Sequence, residues 1–208
     1  MNRKTDLPLF VTLGPKGTNH EMVTRNYLAF HNLDGAGIVL VDEFNTGLEL
    51  IAAGEADFMV QVAVHPSCAE VVATAHFKFG IRILDTFISP SKPLAILTRA
   101  DVIQPKTLAL QPATQTYTNL DRWQQLIPVG SIIDVANGLV EGKYDSGLTT
   151  LSLAEQYPGR FKVDVDLGTV DDPWLVFGKQ NHSSYQLQAW PDSPAARLFR
   201  NTPGPPAP

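Results

Sequence analysis

Side chains able to do chemistry gather in a few short turns of this sequence, and the first is the run from Leu9 to Glu21, LFVTLGPKGTNHE. Leu9 to Leu13 is a short apolar, β-branched run of the kind that forms a buried parallel strand, and Gly14-Pro15-Lys16-Gly17 is a turn. Thr18 and Glu21 then make a capping box: the threonine oxygen takes a free backbone N–H and the glutamate reaches back to the cap. Strand, glycine turn and capped helix together aim unpaired N–H groups and the positive end of a helix dipole at an anion. Lys16 adds a full charge there. The same residues also read as an ordinary strand-to-helix turn with a solvated lysine.

In open parallel sheets, ligands bind outside the carboxyl ends of the strands. That rule selects Lys16, Thr18, Asn19 and His20 after the first strand, and Val64, His65, Ser67 and Cys68 after the third. Ser89, Ser91 and Lys92 stand at a crossing, Gln111, Thr114, Gln115 and Thr116 follow a later strand, and Thr149 and Thr150 follow another. Nearly all are neutral hydrogen-bonding groups, and Lys16 and Lys92 are the obvious cations. A carboxylate would therefore be held mainly by hydroxyls and helix N-termini. His20 and His65 lie beside the expected cleft edges, where an imidazole can act as a general acid near neutral pH.

Plainer readings stand beside these. Thr114, Gln115 and Thr116 serve as caps and turn residues, and Ser89 and Ser91 turn the chain between prolines. Cys68 reads as a small core residue, since nothing adjacent lowers its pKa. Asp171 and Asp172 read as a solvated turn, although paired carboxylates at a hinge can shape a pH response. The sequence has no nucleophile elbow, P-loop, GxGxxG or HExxH. Its five histidines, His20, His31, His65, His76 and His182, lack ligand spacing, so no metal site is expected.

The elements that must position these residues follow from length and pattern. The 208 residues, 44% hydrophobic and 18% charged, suit a soluble globular protein with one sizeable core or two smaller lobes. A net charge of −5 without a basic run argues against nucleic acid or a membrane surface as partner and favours a small molecule. A single cysteine excludes an internal disulfide and suits a reducing, cytoplasmic home. No apolar run approaches the roughly 20 residues needed to span a bilayer, and no secretory signal is expected.

Along the chain, helices are predicted over 19–30, 47–53 and from Pro66 onward, between strands at 9–13, 38–41, 57–62 and 81–87. After the proline-rich break at 89–93 come an extended segment at 94–98 and strands at 107–110, 129–132 and 146–149. Helices over 117–126, 134–141 and 151–157 alternate with them. This alternation predicts two α/β lobes with mostly parallel sheets and right-handed crossovers. Lobe one takes about 8–88 plus 171–180, where Trp174 to Phe177 returns; lobe two takes about 95–168. Two crossings between lobes create an interlobe cleft. The extension 181–208 carries an amphipathic turn or two and ends in residues expected to be disordered.

Leu13-Gly14-Pro15-Lys16-Gly17-Thr18 resembles the LGPxGT opening of the prephenate dehydratase family. The likeness continues in VDEFNTGLELIAAGEADFMVQV, similar to that family's first-lobe helix and strand. It continues again in LALQPATQTYTNL, where Gln111-Pro112 stands for the family's His-Pro, and in SIIDVANGLVEGKYDSGLTTLSLAEQYPGRF. The resemblance covers about 9–179 and implies a two-lobed, periplasmic-binding-protein type II-like fold. Departures matter as well. Pro173-Trp174-Leu175 stands in place of the dehydratases' Thr-Arg-Phe, Ala63-Val64-His65 in place of their Glu-Asn-Ser, and no regulatory ACT domain is expected after the lobes.

A shorter branch, the prephenate decarboxylases of the bacilysin pathway, is similar in its TLGPEGT-like turn and its Trp-x-x-Phe-Gly-Lys strand, here Trp174-Leu175-Val176-Phe177-Gly178-Lys179. That resemblance implies a lyase that needs no cofactor and removes the ring carboxylate of prephenate without aromatisation. For such a reaction the expected substrate-binding residues are Lys16, Thr18, Asn19, Ser89, Ser91, Gln111, Thr114, Gln115, Thr116 and Trp174, with proton delivery by His20 or His65. A homodimer is implied by resemblance only. Two other readings explain the same residues: a two-lobed cleft that binds a small carboxylate or amino acid and catalyses nothing, and a lyase or isomerase of another cyclic unsaturated acid.

Overall fold

The computed structural model describes residues 7–179 and 187–201, so the expectation of disorder at the very end of the chain lies outside the described residues. In chain order the elements are β1 (Leu9–Leu13), α1 (Asn19–Phe30), β2 (Gly37–Val41), α2 (Phe44–Ala53), β3 (Phe58–Val62), α3 (Cys68–Phe79), β4 (Arg82–Pro90) and β5 (Leu94–Arg99). They continue as β6 (Thr107–Leu110), β7 (Gln125–Pro128), α4 (Ile132–Val140), β8 (Ser146–Thr150), α5 (Ser152–Gln156), β9 (Phe161–Gly168), β10 (Asp171–Gly178) and α6 (Pro194–Asn201).

These strands form two five-stranded sheets, ordered β2-β1-β3-β10-β4 and β7-β6-β8-β5-β9. The fold is the expected two-lobed α/β class, but its sheets are mixed rather than mostly parallel. In each lobe three strands run parallel, as the alternation requires, and the strands flanking the crossings pair antiparallel: β10 with β3 and β4, β5 with β8 and β9. The sheets are therefore mixed, because a chain that leaves a lobe and returns enters it from the opposite end.

Each sheet is buried on both faces. Val11, Met59 and Phe177 pack under α2 and α3, while Phe10, Val60 and Trp174 pack under α1. In the second lobe Ile96, Leu108 and Leu148 fill one side, and Ala95, Leu97 and Leu139 fill the other. Gly147 is required where α4 crosses β8, since a β-carbon there would lie 2.6 Å from Val135 Cγ1.

The helix predicted over 117–126 is not formed. A single 3-10 turn, Pro112–Thr114, is followed by turns and by β7. Local side-chain bonds compete with a helix here: Asn119 Oδ1 accepts from the Asp121 amide at 2.8 Å. Trp123 is drawn into the core, where its indole N–H donates to Ser146 Oγ at 2.9 Å. The strand expected at 129–132 lies earlier, at Gln125–Pro128, because Ser131 caps α4 by accepting from the Asp134 amide at 3.1 Å. β9, not anticipated from the sequence, is an edge strand paired to β5.

Two crossings join the lobes, at residues 91–93 and 169–170, and they are bonded to each other. Ser91 N–H donates to Val170 O at 2.8 Å, and Val170 N–H donates to Ser91 Oγ at 3.2 Å. β10 then runs beside β4 with Asp172 opposite Ser89.

Candidate functional site

At the tip of β1 the chain folds locally as its residue types demand, with one change in detail. Thr18 Oγ1 accepts from the Glu21 amide at 3.5 Å, and Glu21 Oε2 accepts from Gly17 N–H at 2.6 Å rather than from the cap residue itself. Gly17 has φ +90, a backbone that side chains disfavour. The Gly17 amide, and next the Arg25 guanidinium, hold the Glu21 carboxyl below the usual carboxylate range. The negative charge thus sits beneath the turn, and the cap takes the Glu21 amide rather than those of Asn19 and His20, the first two residues of α1.

This tip lines the gap between the lobes. Leu13, Val62, Gln111 and Thr150, at or just past the carboxyl ends of β1, β3, β6 and β8, surround one cavity of about 170 Å³. Gly17, Thr18, Asn19 and His20 border it from lobe one; Gly130, Ser131, Ile132 and Ile133, the start of α4, border it from lobe two. The two helix tips are neighbours, since a β-carbon on Gly17 would stand 3.8 Å from Ile133 Cδ1. Two positive helix ends meeting over one cavity suit a ligand carrying negative charge.

Of the twelve residues expected to bind substrate or deliver a proton, Thr18, Asn19, His20, His65, Ser91, Gln111, Thr114 and Trp174 line this cavity. Four do not. Lys16 is exposed beyond the rim, and the cation of the wall is Lys92, whose ammonium donates to Gly17 O and whose amide donates to Asn19 Oδ1 at 2.9 Å. Ser89 is buried, with its hydroxyl directed at Pro90 O, 3.4 Å away. Gln115 and Thr116 are exposed outside the lining. The 3-10 turn explains the last two: its three-residue period brings Gln111, Thr114 and Tyr117 to one face and turns Gln115 and Thr116 to solvent.

Several lining groups already have partners. Thr18 Oγ1 both caps α1 and points to Leu13 O at 3.4 Å, and Thr114 Oγ1 donates to Gln111 O at 2.8 Å. His20 sits among aromatic rings, 5.2 Å from Trp174, 5.5 Å from Phe44 and 6.4 Å from His65 between centroids. Its buried Nε2 has no hydrogen-bond partner among the described residues. Burial, reinforced by His65, lowers its pKa to about 3, so His20 is a neutral imidazole at physiological pH and not the charged acid expected of it. His65 Nδ1 accepts from Ser67 N–H at 3.2 Å, which leaves the neutral ring's proton on Nε2; burial pushes its pKa down too. Trp174 is 1% exposed, and its indole N–H has no partner among the described residues.

Three lining residues with polar side chains were missed by sequence reasoning: Ser131, Tyr117 and Asp172. Ser131 carried a legible signal, because Gly130-Ser131-Ile132-Ile133-Asp134 repeats the glycine, cap and acid spacing of Gly17-Thr18-Asn19-His20-Glu21. Asp172 carried none. Instead of a solvated turn, it lies within β10 at 7% exposure, and burial, then the Asp171 charge, lifts its carboxyl above the usual carboxylate range. Burial and Asp172 likewise raise Tyr117. Burial raises the half-buried Cys68 thiol, which is unlike an activated nucleophile. Among the described residues no group of three or more His, Cys, Asp or Glu is placed to hold a metal, and no helix is long and apolar enough to cross a membrane.

These features define a class: a two-lobed α/β protein with an anion-directed cavity between its lobes. No family model matches the chain, and no curated protein matches it. Solved structures do. The prephenate dehydratase of Arthrobacter aurescens, in complex with L-Phe, is similar over 86% of this chain and 62% of that one, at 19% identity and TM-score 0.60. The prephenate dehydratase of Staphylococcus aureus subsp. aureus Mu50 is similar over 84% of this chain and 67% of that one, at 17% identity and TM-score 0.58. GqqA, described as a novel type of quorum-quenching acylase, matches at 8% identity and TM-score 0.52, over 84% of this chain and 65% of that one. At these identities the likeness is one of fold, and this chain spans 62% of the first of these proteins.

Proposed function

We propose that the chain is a lyase of the prephenate dehydratase and decarboxylase type. It acts on prephenate or a similar cyclic unsaturated carboxylate and favours loss of carbon dioxide without aromatisation over dehydration. The observation that carries this reading is the meeting of two capped helix tips, α1 at Thr18 and α4 at Ser131, over a single cavity of about 170 Å³. A cavity of about 150 Å³ accepts benzene, so this one suits a single six-membered ring. Two positive helix ends suit two carboxylates.

Holding the ligand falls to the first amides of α1 and α4, the Asn19 side chain and Lys92. His65 and His20 offer neutral imidazole hydrogen bonds, and Trp174 with Leu94 and Ile132 excludes water from the ring. Such exclusion raises the energy of a ring carboxylate relative to a transition state in which its charge is leaving as carbon dioxide. Pro173-Trp174-Leu175 offers neither the threonine nor the arginine that dehydratases carry, which favours decarboxylation. On this reading residues 8–180 are the working unit, the chemistry needs no cofactor, and the protein is a cytoplasmic enzyme or a homodimer of it.

Purified protein incubated with prephenate should release carbon dioxide and yield a non-aromatic keto acid; appearance of phenylpyruvate instead would reassign it to dehydration. A second reading, a binding protein for a small carboxylate, draws on the two neutral histidines, which leave the wall without a charged acid. Melting-temperature shifts with prephenate, arogenate and phenylpyruvate, unaccompanied by product, would select it.

A further inference from the structure

We infer that Asp172 is the proton-transfer group of the interlobe cavity, handing its carboxyl proton to the ring carbon that receives the electrons left by departing carbon dioxide. This rests on the lyase reading above. Asp172 is the sole acidic residue of the described cavity wall, and it lies at 7% exposure in the return strand. A carboxyl group so little exposed, lining an anion-directed cavity, is costly to keep unless the site uses it.

Its surroundings suit the protonated form. Asp171 on the same strand repels a second negative charge, and Tyr117 reaches the cavity from lobe two with its own proton held more firmly by burial and by Asp172. From lobe one the titratable neighbours of the wall are His20 and His65, both kept neutral. Lys92 is the cation of the wall, and its ammonium is engaged by Gly17 O. An arriving dianion adds further negative charge and so stabilises the acid form until the carboxylate leaves.

The step balances without an oxidant. The bond between the ring carbon and its carboxylate breaks, and carbon dioxide departs. The electron pair spreads through the two flanking double bonds, and a terminal carbon of that system bonds the Asp172 proton. The resulting carboxylate recovers a proton from water once product leaves.

Full-length Asp172→Asn tests this with prephenate. A fall in kcat of ~100-fold or more with KM changed by less than about threefold supports the assignment. So does a wild-type kcat that declines as pH rises through the elevated Asp172 pKa, since the acid form is the active one. In deuterium oxide, wild type should place deuterium on one ring face and the variant on both. Wild-type rate and wild-type pH profile in the variant would overturn the assignment alone. If the variant does not fold, wild-type kcat without that alkaline decline overturns it instead. A wild type inert toward prephenate overturns the lyase reading and this assignment together.

Discussion

The backbone N–H of Lys92, in the first crossing between the lobes, donates to Asn19 Oδ1 in the first turn of α1 at 2.9 Å. The Lys92 ammonium reaches Gly17 O at the same time. The two contacts bracket Thr18 and tie the first crossing to the anion-directed tip.

Asn19→Ala leaves the half-buried Lys92 amide without its acceptor. The expected cost is about 1 kcal/mol, seen as a fall in Tm of about 2–4 °C by calorimetry. Affinity for a carboxylate ligand, measured by titration calorimetry, should weaken by about five- to tenfold, because the tip also loses its registration against the hinge. A melting point lowered with affinity untouched would show that the contact serves stability alone.

His20 makes the protein acid-sensitive with a definite sign. Its folded pKa of about 3 lies below the unfolded value near 6.5, so between those values the unfolded chain binds more protons. Stability is fully present above about pH 6.5 and declines as pH falls, by up to ~1.4 kcal/mol per pH unit from this one group. Denaturant titrations at several pH values should show the slope, and His20→Gln should flatten it. The ring's carbon-bound proton resonances should not titrate between pH 5 and 8; a midpoint in that range would contradict the buried placement.

Gly17→Ala probes the tip. A β-carbon there has room, its nearest neighbour being Ile133 Cδ1 at 3.8 Å, so the penalty comes from the positive φ of 90°. That strain costs ~1–2 kcal/mol. If the residue relaxes instead, the amide that Glu21 now holds at 2.6 Å turns away and the tip loses its shape. Urea titration together with ligand titration separates the two outcomes: strain lowers stability alone, relaxation lowers both.

The first lobe was legible because its signals are local. β1, the Thr18 cap and α1 follow from a β-branched run, a glycine turn and an acid three residues past the cap, and the structure repeats that reading nearly residue for residue. α2 begins earlier than its expected start, at Phe44 with Glu43 as cap residue, since tertiary burial of Phe44 outweighs the better cap offered by Asn45 or Thr46. The stretch 117–126 misled for a related reason. Trp123 gains more by donating to buried Ser146 than by continuing a helical turn, and Ser146 lies far along the chain.

By itself, then, the sequence determined the alternation of strands and helices, the two lobes and the polar residues at their strand ends, because hydrophobic period and capping chemistry act over a few neighbouring residues. Tertiary structure alone decided which of those residues share a cavity, that Lys92 rather than Lys16 supplies its cation, that His20 is uncharged and that Asp172 is an acid of its wall. Charge state and partnership depend on burial and on strands paired across long stretches of chain. Asp172 meets Ser89 only after the chain has left the first lobe, built the second and returned.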